Sequence, residues 1–199
     1  MNSSYGNGFS SWLWIGLTAL GLGLGIPLGF ALGVPAEILF GMMLVVPVIG
    51  LVAGASLGAT QSVVLRKSTA RALPWVLATT LGMAFGLTAG TVSIEVLGLR
   101  RGNPIDEALS MVVLGLAVGA SIGLPQWLVL RGRMMKAGWW LAASVAGTST
   151  AFLAGGLTAQ LFVGGFRSPA GLVLFAVVAG GLMALATIPA LRRMAPRPV

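Results

Sequence analysis

The sequence predicts an all-α polytopic integral membrane protein, with six transmembrane helices arranged as three pseudo-repeated helical hairpins. Three observations lead to this fold class: an apolar composition, six long apolar segments and an internal repeat. Of the 199 residues, 57% are hydrophobic and only 8% are charged, whereas about a quarter of the residues of soluble domains are charged. A chain this apolar would expose a large hydrophobic surface in water, so we expect a lipid bilayer around it.

Each of the six apolar segments is long enough to cross a membrane, which takes roughly 20 helical residues for about 30 Å of hydrocarbon. They are residues 11–33, 38–65, 72–94, 108–130, 138–165 and 169–191. Three start signals support these boundaries, because proline, serine and acidic residues favour the first turn of a helix. The signals are Pro35-Ala36-Glu37, Pro104-Ile105-Asp106-Glu107 and Ser168-Pro169.

Basic residues are concentrated on one side of the predicted membrane. This side holds Arg66, Lys67, Arg71, Arg131, Arg133, Lys136, Arg192, Arg193 and Arg197. The other side holds Arg100, Arg101, Arg167 and all four acids, Glu37, Glu95, Asp106 and Glu107. Because an excess of Lys and Arg marks cytoplasmic loops, both termini are predicted to be cytoplasmic, in a bacterial inner (cell) membrane. Short basic clusters between apolar segments also argue against nucleic-acid binding.

An internal repeat relates the middle of the chain to itself. Residues 50–90 align with residues 115–155 at a constant offset of 65, and 16 of 41 positions are identical. The matched positions include three glycines spaced four apart, a glutamine, an arginine and a tryptophan. Residues 1–11 carry no basic residue, so the first segment is expected to be a retained helix rather than a signal peptide.

The repeat extends to three hairpins when helix types are compared. The odd segments share a tryptophan followed by small residues, and these tryptophans are Trp14, Trp75 and Trp140. The even segments share a small-residue row and then a polar residue, which is Gln61, Gln126 or Thr187. The hairpins cover residues 11–66, 72–131 and 138–193 of a single domain over residues 1–199. Copies inserted in the same direction imply a pseudo-threefold axis along the membrane normal.

The glycine rows are predicted to be helix-packing surfaces, in the manner of a glycine zipper. In lipid, small residues spaced four apart let helix backbones approach closely. The rows are Gly50, Gly54, Gly58, Gly82, Gly86, Gly90, Gly115, Gly119, Gly123, Gly147 and Gly155. The alternative is a flexible face that contacts a cofactor.

Polar side chains inside the segments are candidates for a ligand site. Gln61 and Gln126 share a face with the glycines, so they predict either interhelical hydrogen bonds or, together with Thr187, a polar ring around a ligand or water path. Glu95 and its repeat counterpart Gln160 are further candidates, because an ionisable group in a membrane segment is often functional. Glu95 could instead lie at the outer interface, paired with Arg100 or Arg101.

Residues at the segment ends are expected to anchor the helices at the interface. Arg66, Arg131 and Arg192 either reach lipid phosphates or form a cationic mouth that selects anions. Trp75 and Trp140 are expected to lie in an aromatic belt at the same level.

Several chemistries have no residues to support them. The chain has no cysteine and no histidine, so no thiol or imidazole chemistry, metal site or catalytic residue is predicted, and no cofactor is identified. The repeated pattern G-x3-G-x3-G-x2-Q-x4-R resembles that of uncharacterised bacterial polytopic membrane proteins. This resemblance covers the four middle segments and implies no activity.

Two functions fit this sequence. The first is a non-catalytic structural or accessory membrane protein, as a homo-oligomer or as a subunit of a larger membrane complex, with lipids or other apolar ligands in its grooves. The alternative is a small-solute transporter or channel whose path follows the pseudo-threefold axis past Gln61, Gln126 and Thr187. The first requires a dry, closed bundle, and the second requires a wet cavity that reaches those side chains.

Overall fold

Six long helices make up almost all of the described chain. A computed structural model describes residues 10–40, 44–65, 72–99, 102–165 and 168–196, with backbone only at 36, 37, 39, 40, 195 and 196. The helices are α1 (Ser11–Phe40), α2 (Val45–Leu65), α3 (Ala72–Val96), α4 (Pro104–Arg131), α5 (Gly138–Val163) and α6 (Pro169–Arg193). All six are long and apolar enough to cross a membrane. The all-α class and the number of long apolar helices are therefore confirmed, and the chain is a multi-pass membrane protein.

The helices form a closed ring in which each packs against its neighbours in sequence. Extensive contacts join α1 to α2, α2 to α3 and so on to α6, and α6 packs back against α1. Large apolar side chains cover the outside, as on α3, where Leu73, Leu77, Leu81 and Phe85 are all exposed. Four-residue spacing places these side chains on one face of the helix. Such an apolar exterior is suited to lipid rather than to water.

Two of the three predicted helix starts are confirmed. The Asn103 side chain caps α4 by accepting a hydrogen bond from the Ile105 N–H at 3.0 Å, and Pro104 occupies the first turn. Ser168 caps α6, where its Oγ accepts a hydrogen bond from the Gly171 N–H at 3.1 Å. Both caps satisfy N–H groups that have no partner within their own helix.

The predicted start at Pro35-Ala36-Glu37 is wrong. The first helix continues through Pro35 to Phe40, and α2 begins at Val45 rather than near residue 38. Proline removes one backbone hydrogen bond, but membrane helices tolerate this loss when neighbouring groups compensate. A proline within an unbroken apolar run is therefore compatible with either a helix start or a continuing helix.

Apolar side chains from every helix fill the interior of the ring. One cluster occupies the middle and contains Leu22 of α1, Leu57 of α2, Met83 of α3, Val118 of α4, and Phe152 and Phe175 of the last two helices. The two phenylalanine rings meet edge to face, with 5.3 Å between centroids. A second cluster lies nearer the N-terminus of α1 and contains three tryptophans. Both clusters contain side chains from opposite sides of the ring, so the interior is packed and not hollow at these levels.

The glycine rows lie where neighbouring helix backbones come closest. A methyl group added at Gly54 of α2 would lie 2.7 Å from the Thr80 Cα of α3, and one at Gly119 of α4 would lie 2.8 Å from the Val145 Cα of α5. The other rows also face the next helix along the chain: Gly50, Gly58, Gly82, Gly86, Gly90, Gly115, Gly123, Gly147 and Gly155. Any larger residue at most of these sites would push main chains apart.

Two adjacent glycines of α6 provide a matched test of this packing. A Cβ at Gly180 would lie 2.8 Å from the Ala19 Cα of α1, whereas a Cβ at Gly181 would meet nothing within 4 Å. We expect Gly180→Ala to lower the free energy of unfolding by about 1–3 kcal/mol through overpacking. Gly181→Ala should be neutral or stabilising by up to about 1 kcal/mol, since alanine is the better helix former. Denaturation with SDS in mild detergent, followed by circular dichroism, measures both; equal effects would contradict the close contact of α6 with α1.

Candidate functional site

Three tryptophans from α1, α3 and α5 meet inside the ring. Trp14, Trp75 and Trp140 expose 0%, 0% and 1% of their surfaces. The Trp140 ring lies 6.1 Å from that of Trp14 and 5.4 Å from that of Trp75, with edge-to-face geometry in both pairs. We call these three residues the tryptophan cluster. Edge-to-face packing at such distances is favourable for aromatic rings.

The expectation of an interfacial belt is therefore wrong for Trp75 and Trp140. Their burial follows from their position on the helix. Trp75 precedes Gly82 by seven residues, which is almost two full turns, so both lie on the same side of α3. Trp140 precedes Gly147 in the same way. Since the glycine side of each helix faces other helices, the tryptophans point into protein, and this spacing was the sequence signal for their burial.

Each indole of the tryptophan cluster donates a hydrogen bond to the even-numbered helix that precedes it in the ring. The donor–acceptor distances are 3.2 Å from Trp75 Nε1 to Gln61 Oε1, 3.0 Å from Trp140 Nε1 to Gln126 Oε1, and 3.1 Å from Trp14 Nε1 to Thr187 Oγ1. An indole N–H can only donate, so the amide atom that faces it is the oxygen. The three polar residues predicted to form a ring thus lie at one level, around the tryptophans.

The remaining amide hydrogens extend this network to further helices. Gln126 Nε2 donates to Thr79 Oγ1 at 2.8 Å, and that hydroxyl donates to the Trp75 carbonyl at 2.8 Å. Gln61 Nε2 donates to Thr18 Oγ1 at 3.4 Å. Consecutive hydrogen bonds therefore connect all helices from α5 back to α1. We call the tryptophan cluster and these polar partners the indole–amide network.

The network leaves no buried polar group unused. Gln61, Gln126 and Thr187 each expose 1% of their surface, and every buried side-chain nitrogen or oxygen among the described residues has a hydrogen-bond partner. An unpaired polar group in a dry interior would cost about 1–3 kcal/mol. The geometry therefore accounts for both amides by hydrogen bonds between helices, and three indoles occupy the space that they surround.

Glu95 and Gln160 lie at the other end of the bundle, away from this network. Both side chains are exposed, near the C-terminal ends of α3 and α5. Glu95 follows Trp75 by 20 residues, so the two are separated by about 30 Å along the helix. Inclusion of Glu95 and Gln160 in a polar ring with Gln61 is therefore wrong. The position of Glu95 agrees with the alternative of an interfacial carboxylate, while Arg100 and Arg101 lie outside the described residues.

Charged residues cluster at the end of the bundle that carries the indole–amide network, which we call the basic end. Arg131 is exposed as the last residue of α4, with its guanidinium 5.3 Å from the centroid of the Trp127 ring. Arg192 is exposed and donates to Ser11 Oγ at 3.0 Å, which joins α6 to α1. Arg193 lies 4.7 Å over the Trp139 ring. Arg66 lies outside the described residues.

A short β-ribbon crosses the basic end. Strand β1 (Met134–Met135) follows α4, and strand β2 (Ala195–Pro196) follows α6; they pair antiparallel. Met134 and Met194 are buried in the same cluster as the three indoles. The ribbon was not predicted, because two-residue strands have no periodic pattern. Apolar methionines among arginines were the available signal for a segment that folds back onto the protein.

Comparison of the chain with protein-family models, with curated proteins and with solved structures finds no match in any of the three. The resemblance to bacterial polytopic proteins through the repeated glycine, glutamine and arginine pattern stays a prediction. Functional inference therefore depends on the geometry of the chain itself.

The indole–amide network yields a test of its contribution to stability. Gln126→Leu removes the acceptor of Trp140 and the donor to Thr79, so we expect a loss of about 1–3 kcal/mol of unfolding free energy. In the double variant with Trp140→Phe, which lacks the unpaired indole N–H, the two losses should be less than additive. Gln160→Leu, an exposed amide on α5, is the control and should change stability by less than about 0.5 kcal/mol. Equal losses from the two glutamine substitutions, measured by unfolding in detergent, would contradict this role.

Proposed function

We propose that this chain is a non-catalytic structural or accessory integral membrane protein. The observation that carries the proposal is the filled interior at the level of the indole–amide network. The candidate pore residues there are buried, and their polar atoms are used in contacts between helices. A protein built this way offers its outer surface, rather than an internal path, for interaction. Lipids, other apolar ligands, membrane-protein partners or further copies of the chain are the proposed occupants of that surface.

We also propose that the ring consists of three copies of one helical hairpin. Support comes from contacts that recur at equivalent positions. The members of the tryptophan cluster are 61 and 65 residues apart, and each donates its indole N–H to the neighbouring even helix. Gln126 and Thr79 are bonded in the same way as Gln61 and Thr18. A pseudo-threefold arrangement places equivalent side chains near a common axis.

Transport along that axis remains the alternative, and the packing counts against it. A solute would have to pass between Trp14, Trp75 and Trp140, and the Trp140 ring packs edge to face against each of the other two. It would then meet the apolar cluster of Met83 and Val118. Water and ions avoid apolar constrictions, and opening one would require the indole–amide hydrogen bonds to break.

Introduced cysteines distinguish a dry interior from a wet path, because the natural chain has none. Val118, which is fully buried in the apolar cluster, is replaced by cysteine, with Gln160→Cys as the exposed control. In proteoliposomes treated with a water-soluble methanethiosulfonate on both sides, we expect modification of the control and none at position 118 until SDS is added. Two results together would support the transporter instead. The cysteine of Val118→Cys would be modified in the folded protein, and the natural chain would carry a solute flux that Gln61→Leu abolishes.

Orientation in the membrane is a further part of the proposal, with both termini and the basic end in the cytoplasm. Met135 lies at the basic end and Leu97 lies in the turn after α3, and both are exposed. In intact bacterial cells, a membrane-impermeant thiol reagent should label Leu97→Cys from outside and leave Met135→Cys unlabelled until the cells are opened. The reverse pattern would invert the assignment.

A further inference from the structure

An open cleft of about 510 Å³ lies at the basic end, between the end of α4 and the start of α5. The residues that line it include Trp127, Arg131, Gly132, Lys136 and Gly138. We call it the basic cleft.

The basic cleft carries positive charge, and none of the acidic side chains that the structure describes lies near it. Arg131 and Lys136 are both exposed within it. The described acidic side chains, Glu95, Asp106 and Glu107, all lie at the opposite end of the bundle, at the end of α3 and the start of α4. Because α4, which joins the two ends, is 28 residues long, about 40 Å separates them. The cleft is therefore electrostatically suited to an anion from outside the protein.

Trp127 positions one of these charges. Its half-buried ring lies 5.3 Å below the Arg131 guanidinium, in a cation–π contact that restrains the side chain. The N–H groups of a guanidinium form a planar fork that suits two oxygens of a phosphate.

The backbone of the cleft leaves room for a ligand. A Cβ added at Gly132 or at Gly138 would meet nothing within 4 Å. Lys136 adopts a left-handed conformation with φ of 58°, which is uncommon for residues other than glycine. This turn brings Lys136 into the wall that Arg131 also forms. Arg131 at the end of α4 and Lys136 just before α5 thus line one open space.

An apolar strip continues from the cleft toward the middle of the membrane. Leu124, Leu128 and Arg131 are exposed on α4, and their spacing of four and three residues puts them on one side of the helix. A soluble anion would make no favourable contact with the two leucines. The acyl chains of a lipid would pack along them, while its phosphate group would contact Arg131 and Lys136.

We propose that the basic cleft binds the phosphate of an anionic phospholipid, with the acyl chains along Leu124 and Leu128. Basic pockets between transmembrane helices at the cytoplasmic side are suited to such headgroups. The inference requires a membrane around the chain and is independent of whether the interior conducts a solute. It assigns a lipid site to a surface, whereas the indole–amide network acts within the bundle.

The test compares two double variants of equal charge. The cleft variant carries Arg131→Gln and Lys136→Gln, which remove both positive charges from the lining of the cleft. The control variant carries Arg192→Gln and Arg193→Gln, which remove two positive charges at the same end that do not line the cleft. The full chain, delipidated in mild detergent, is titrated with phosphatidylglycerol or with phosphatidylcholine of the same acyl chains, and bound lipid is counted by native mass spectrometry. All four substituted residues are exposed, and a cooperative thermal unfolding transition in each variant confirms that it folds. The control variant loses the Arg192–Ser11 hydrogen bond, so a slightly lower midpoint is expected for it.

We expect the natural chain to prefer phosphatidylglycerol and the cleft variant to bind it about 10- to 30-fold more weakly. The control variant should lose less than about threefold, as expected for long-range charge effects alone. Equal losses in the two variants, or equal affinity for the two lipids, would overturn the proposal. A parallel titration with inorganic phosphate identifies the source of the anion: binding as tight as that of the lipid would assign the cleft to a soluble phosphate and overturn the lipid assignment.

Discussion

Main-chain contact between neighbouring helices is the constraint on which the other features of this protein depend. In lipid, apolar side chains gain little by leaving the solvent, so helices associate through close packing and hydrogen bonds. Gly58 lies against the Val76 main chain, next to Trp75, and Gly123 lies against the side chains of Ser144 and Leu141, near Trp140. These glycines are one turn from Gln61 and Gln126, respectively. The small residue thus sets the distance at which the indole of one helix can reach the amide of the other.

The indole–amide network satisfies a second constraint, which is that polar groups in a membrane interior need hydrogen-bond partners within the protein. A glutamine has two hydrogen-bonding ends, and here its oxygen accepts from a tryptophan while its nitrogen donates to a threonine. The network therefore ties three successive helices at one point. Thr187 has only a hydroxyl, which accepts from Trp14 and donates to its own helix. The interface of α6 with α1 relies in addition on Gly180 and on the bond between Arg192 and Ser11.

Much of this fold could be predicted from the sequence, because its strongest signals are local. Apolar length predicted the six spans, and Pro104-Ile105-Asp106-Glu107 and Ser168-Pro169 predicted the starts of α4 and α6, where the structure adds Asn103 as a cap. The spacing of three residues from Gly58 to Gln61 correctly placed Gln61 on the glycine side of α2, since helix geometry fixes which residues share a face. The boundary at Pro35 was missed because lipid tolerates proline inside a helix, so the same residues fit two outcomes.

The site was harder to predict than the fold. Trp75 and Trp140 were assigned to the interface from their nearness to basic loops, yet their spacing from Gly82 and Gly147 decides their orientation. Which indole meets which amide depends on the order of helices around the ring, and a single sequence does not contain that order. The basic cleft likewise forms only when α4 and the turn at Lys136 meet. The residue types indicate which hydrogen bonds between indoles and amides are possible, and the order of the helices around the ring determines which of them form.

Hydrogen exchange at the six tryptophan indoles tests the closed, dry interior most directly. The ¹⁵N-labelled chain in detergent micelles is transferred to D₂O, and each indole N–H is followed by NMR after assignment by single substitutions. The indoles of Trp14, Trp75 and Trp140 are buried and hydrogen-bonded, so their signals should persist for hours after those of the exposed Trp12 and Trp139 have vanished. Loss of all of these signals within minutes would show water at the centre of the bundle and contradict this account.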